Sequence, residues 1–138
     1  MPFEEGSVKG RGKGTYGCTV EDNIINGDDG GGSVGLDIWC DDTDDLVVTG
    51  CHNTITDFDI GVQVDEETAG LISSVILNWN HIYDNASSGV SNDASLTVDA
   101  RYCWWEYDSG PYHPALNAGG LGNQVGEFDR ARGLKKGK

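Results

Sequence analysis

The chain has 138 residues, with 9 Lys and Arg against 23 Asp and Glu, giving a formal net charge of −14. That length bounds it to one domain with a narrow core. The acidity repels phosphate backbones and argues against nucleic acid as a partner. No apolar run reaches membrane-spanning length, so no membrane span is expected.

In chain order, residues 1–17 read as a Gly-rich basic lead-in with Lys9, Arg11 and Lys13, residues 18–128 as the folded domain, and residues 129–138 as a basic tail. The opening residues lack the apolar core of a signal peptide, which leaves a cytoplasmic location open. The charge is uneven: residues 21–108 hold 19 acids and a single base, Arg101, while both ends are net basic. Solubility or adaptation to high salt is the bland account of such an acidic body.

The domain repeats one phrase with drift: Val20-Glu21-Asp22-Asn23-Ile24-Ile25, Gly50-Cys51-His52-Asn53-Thr54-Ile55 and Leu77-Asn78-Trp79-Asn80-His81-Ile82. The asparagines lie 30 and 27 residues apart, and Gly35, Gly61 and Gly89, each opening a second apolar pair, lie 26 and 28 apart. A period of this size signals a solenoid. Apolar residues do not recur at helical spacing, and Gly, Asn, Asp and β-branched residues dominate, so the coils are expected to be strands.

Aligning on the asparagine sorts inside from outside by the period-2 alternation of a strand. Cys18, Val48 and Val75, then Val20, Gly50 and Leu77, then Ile25, Ile55 and Ile82 form the inward columns. Val98, Ala100, Cys103 and Trp105 take the same places in a fourth turn. The asparagines are expected at one corner, in left-handed backbone geometry, with their amides bonded to the neighbouring coil.

Ala100-Arg101-Tyr102-Cys103-Trp104-Trp105-Glu106, followed by Ser109-Gly110-Pro111, His113-Pro114, Asn117 and Gly122-Asn123-Gln124-Val125, resembles the closing segment of right-handed parallel β-helix repeat proteins. The resemblance spans roughly Thr19 to Phe128. It implies an all-β right-handed parallel β-helix, a short solenoid of about four coils with an irregular C-terminal cap. Cys103 stands where asparagine is usual in that closing phrase, and Glu106 where glycine is usual. Proteins of this kind are mostly extracellular or attached to the cell surface.

The register decides several chemical questions. Cys18 and Cys103 are three coils apart, about 14 Å at strand spacing, and are beyond disulfide reach. Cys40 and Cys51 flank the loop 41–45, where a bridge stays open. Asp28 and Asp29, and Asp41, Asp42, Asp44 and Asp45, are candidate Ca²⁺ ligands, because hard cations take carboxylate oxygens from turns. Neither group follows the EF-hand or nonapeptide calcium spacing, and a solvated turn is the commoner meaning of such a cluster.

No recognisable catalytic constellation is present. Arg101, the one base in the coils, reads as a surface ion pair, and His52, His81 and His113 are scattered in sequence. The Asp pairs lack the Gly-His-Gly and Arg-Ile-Lys phrases of polygalacturonase-like enzymes, and the Asp-Pro-His-Glu phrase of alginate epimerases is absent.

The outward aromatics of the last two coils give the sharper lead. Trp79, His81, Tyr83, Tyr102 and Trp104 are candidate ligand-binding residues, since flat rings pack against the apolar faces of sugars. Docking of the segment 107–128 over these rings is the competing account. The expectation is therefore a non-catalytic carbohydrate-binding or surface-interaction module, with a polysaccharide or cell-surface glycan as partner. A self-associating scaffold, forming a homo-oligomer through an uncapped first coil, is the alternative, and a polysaccharide lyase, hydrolase or epimerase-like enzyme the second alternative. No cofactor other than Ca²⁺ is suggested.

Overall fold

The computed structural model describes residues 15–28, 30–41 and 45–125. β1 (Thr15–Glu21), β4 (Asp45–Cys51) and β7 (Ile72–Ile76) form one three-stranded sheet. β2 (Ile24–Asn26), β5 (Thr54–Thr56) and β8 (His81–Tyr83) form a second, and β3 (Val34–Cys40), β6 (Ile60–Glu66) and β9 (Ser88–Asn92) a third. Every pairing in these sheets is parallel. The chain visits the sheets in rotation, so the described residues are all-β and compatible with a β-helix-like solenoid.

The pairing follows the columns read from the repeat. Cys18 pairs with Val48 and Val48 with Val75. Ile25 pairs with Ile55 and Ile55 with Ile82. A further column runs Leu36, Val62, Val90 and closes on a bridge to Val125. Burying one β-branched face of each strand fixes this register, because a slip of one residue would turn every apolar side chain to solvent. The core includes Val48, Ile55, Val62, Val75, Leu77, Ile82, Val90, Val98 and Trp105.

The glycine column has a packing reason. A Cβ on Gly35 would lie 2.8 Å from the Gly61 carbonyl oxygen, and one on Gly61 would lie 2.7 Å from that of Gly89. The coils approach too closely there for any side chain.

The asparagines corner the chain differently from the sequence expectation. The left-handed residue is the one before each asparagine, and before Cys103 in the fourth turn: Asp22, His52, Trp79 and Tyr102 have φ of 62°, 59°, 66° and 63°. This frees each asparagine side chain to run along the inside of the corner. The Asn23 backbone N–H and amide both donate to Asn53 Oδ1, at 3.0 and 3.1 Å, and those of Asn53 both donate to Asn80 Oδ1, at 2.9 and 3.0 Å. Asn53 and Asn80 also donate to the carbonyls of Val20 and Gly50.

Cys103 completes this ladder. Its sulfur receives the backbone and amide bonds of Asn80, and its thiol donates to the Leu77 carbonyl at 2.8 Å. The cysteine thus takes the next asparagine's place in the ladder, with its single thiol proton on the carbonyl that corresponds to Gly50 for Asn80. A second inner ladder, unseen in the sequence, runs from the Phe58 N–H to Asn85 Oδ1 and from the Asn85 N–H and amide to Asn123 Oδ1.

The fourth turn is partial. It joins the third through bridges at Ile76–Asp99 and His81–Trp104. At Glu106 the chain turns away with φ of 81°, a conformation suited to glycine. It then makes the short parallel pair β10 (Pro111–Tyr112) and β11 (Gly122–Gln124) and returns to Val90 through Val125. This excursion closes over Trp105, which is fully buried. Gly122 sits so close that a Cβ would lie 2.7 Å from that of Trp105.

Candidate functional site

Two columns of outward residues run side by side along the last described coils. The first is the left-handed corner, Asp22, His52, Trp79 and Tyr102. The second lies at the start of the second sheet, where Thr54 pairs with His81 and His81 bridges Trp104. Between them lies a groove of about 490 Å³ lined by His52, Trp79, His81, Tyr102 and Trp104.

The corner column is built at a backbone cost. Bulky residues in the left-handed region lose roughly 1–2 kcal/mol each relative to ordinary geometry. Asp22 is a common occupant of such a position; Trp79 and Tyr102 are not. Their rings stack with centroids 5.0 Å apart and planes 15° from parallel, matching the rise of one coil. Stacking of this kind returns about 0.5–1.5 kcal/mol, so it offsets part of the strain and fixes both rings.

Arg101 finishes the stack. Its Nε and Nη2 donate to Asp99 Oδ1 and Oδ2, both at 2.7 Å, and its guanidinium carbon lies 5.6 Å from the Tyr102 ring centroid. The hydrogen bonds and charge of Asp99 raise the Arg101 pKa above its usual value. Arg101 is therefore the ion pair expected of it, and it also orders the aromatic column.

The groove gathers four of the five aromatic and histidine candidates: Trp79, His81, Tyr102 and Trp104. Tyr83 is not brought to it. It shares an outward direction with His81 but lies two residues along β8, half-buried and paired with Thr56. The structure adds His52, which the sequence treated as one of three scattered histidines. Its signal was its place immediately before Asn53, the same place as Trp79 and Tyr102. His113 is elsewhere, buried in the cap, with Nδ1 accepting the Ala115 and Leu116 N–H groups.

The described part of the closing segment, residues 106–125, packs on Trp105 and leaves Trp79 and Tyr102 57% and 44% exposed. Of the acidic candidates, Asp28, Asp41 and Asp45 are exposed, while Asp29, Asp42 and Asp44 lie outside the described residues. Among the described residues no three His, Cys, Asp or Glu side chains gather as a metal site. No disulfide links Cys40 with Cys51 or Cys18 with Cys103. No helix among the described residues is long and apolar enough to cross a membrane.

The chain matches no family model, no curated protein and no solved structure.

Proposed function

We propose that the chain is a non-catalytic carbohydrate-binding module, wound as a right-handed parallel β-helix, that holds a glycan in the aromatic groove. The hand follows from the strong preference of parallel crossovers for right-handed connection, and it agrees with the resemblance of the closing segment. One observation carries the functional reading: two aromatic side chains accept left-handed backbone geometry and stack at the edge of an open groove. Strained backbone concentrates where a fold positions a site. Rings fixed in advance lose little freedom on binding, and His52 and His81 in the lining can orient hydroxyls. By the same resemblance the module works outside the cell or at its surface.

Titration with a panel of neutral, amino-bearing and acidic oligosaccharides, followed by tryptophan fluorescence and calorimetry, tests this. Binding is expected to shift the emission of Trp79 and Trp104, and Trp79→Asn is expected to weaken it by roughly ten-fold or more, as loss of an aromatic anchor does. Asparagine tolerates the left-handed backbone at this position, so the fold of that variant is retained. Silence in both measurements across the panel overturns the reading.

Self-association is a second reading with its own observation. β1, β2 and β3 are edge strands among the described residues, and Ile24 at the start of β2 is 82% exposed. Unpaired parallel edges invite pairing with another copy. A light-scattering mass of one chain would remove this reading.

A further inference from the structure

Resting on the glycan-binding reading above, we propose that the groove selects by charge, taking amino-bearing, cationic glycans and rejecting uronates. The groove lining contains no Lys or Arg. Arg101 is the one Lys or Arg among the described residues, and Asp99 engages two of its nitrogens while its guanidinium sits over Tyr102. Among the described residues, an anionic sugar would therefore find no Lys or Arg free of an acidic partner to replace its lost hydration, an uncompensated desolvation.

A cationic sugar meets the opposite situation. The corner column that walls the groove continues one coil further to Asp22, in the same left-handed geometry as His52, Trp79 and Tyr102. Asp22 is exposed, and its neighbour Glu21 accepts a hydrogen bond from the Cys51 thiol in the adjoining column. Carboxylates at one end and aromatic faces along the wall are both attractive to an ammonium group. The net charge of −14 adds a general attraction for cations on the way in.

The test compares four oligosaccharides of equal length in mildly acidic buffer, where the amino sugar carries its protons: glucosamine, N-acetylglucosamine, glucose and galacturonate. Glucosamine oligomers are expected to bind most tightly and galacturonate oligomers roughly ten-fold or more weakly than the neutral ones. Added salt is expected to weaken glucosamine binding and leave the neutral oligomers nearly unchanged. Asp22→Asn, which keeps a residue tolerant of the left-handed region, is expected to lower glucosamine affinity more than N-acetylglucosamine affinity.

Galacturonate binding as tight as that of the neutral oligomers overturns the charge selection and leaves the glycan-binding reading standing. Glucosamine binding no tighter than N-acetylglucosamine does the same. Absence of binding by all four defeats both.

Discussion

The first and last turns of the solenoid use the same register for different ends. At the corner, Asp22 opens the first turn and Tyr102 the fourth, with nearly the same φ. Inside it, Asn23 is exposed while Cys103 is fully buried. Further back, Cys18 is exposed where its counterpart Val98 is fully buried. A position in a repeat thus sets backbone geometry, whereas the layer stacked on it sets how much that position contributes to stability. The aromatic residues appear on the turns whose neighbours already hold the corner in place, and this lets the strain there serve a groove.

Truncating the closed end should have the largest effect. Trp105→Ala removes the side chain on which residues 106–125 close, and about 3–5 kcal/mol of stability is expected to go with it, measured by urea unfolding. A loss under about 1 kcal/mol would mean that the closing segment is not fastened through this ring. Next comes the ladder itself. Asn80→Ala orphans the Asn53 backbone N–H and one of its two amide N–H groups inside the protein and should cost about 2–4 kcal/mol, whereas Asn23→Ala, at the exposed end, should cost under about 1. Equal losses at the two rungs would erase the contrast between the turns.

Cys103 sharpens the comparison through pH. Burial, partly opposed by the bonds from Asn80, pushes its thiol from 9.0 up to about 12. The folded state therefore keeps a proton that the unfolded chain releases, so stability is full below pH 9.0 and declines as pH rises toward about 12. Cys103→Ser should flatten that alkaline decline in thermal melts. Alkylation of the native protein should reach Cys18 and spare Cys103 until unfolding.

The smallest effect is expected at Glu106. With φ of 81°, the position suits glycine, and Glu106→Gly should change stability by up to about 1 kcal/mol in the stabilising direction. A marked destabilisation would show that the glutamate side chain holds the turn.

Much of the fold was legible in the sequence because strand alternation and a repeat of nearly constant length are local, one-dimensional patterns. The columns through Val48 and Ile55 came from counting alone, and the pairing follows them. The second ladder was not legible, since Asn85 and Asn123 are 38 residues apart and the excursion over Trp105 breaks the period. The candidate site was legible in part. Outward direction put Trp79, His81, Tyr102 and Trp104 on one side of the solenoid, but it also included Tyr83 and passed over His52.

By itself, then, the sequence determined which residues face inward, which turns carry aromatics, and that the coils are acidic, because each depends on composition and on spacing along the chain. Only the tertiary structure decided that the left-handed corner falls one residue before each asparagine, that Cys103 completes the ladder, and that His52 joins the groove. Those outcomes depend on which carbonyl and which ring the next coil places within about 3–5 Å, a distance across the stack that no local pattern records.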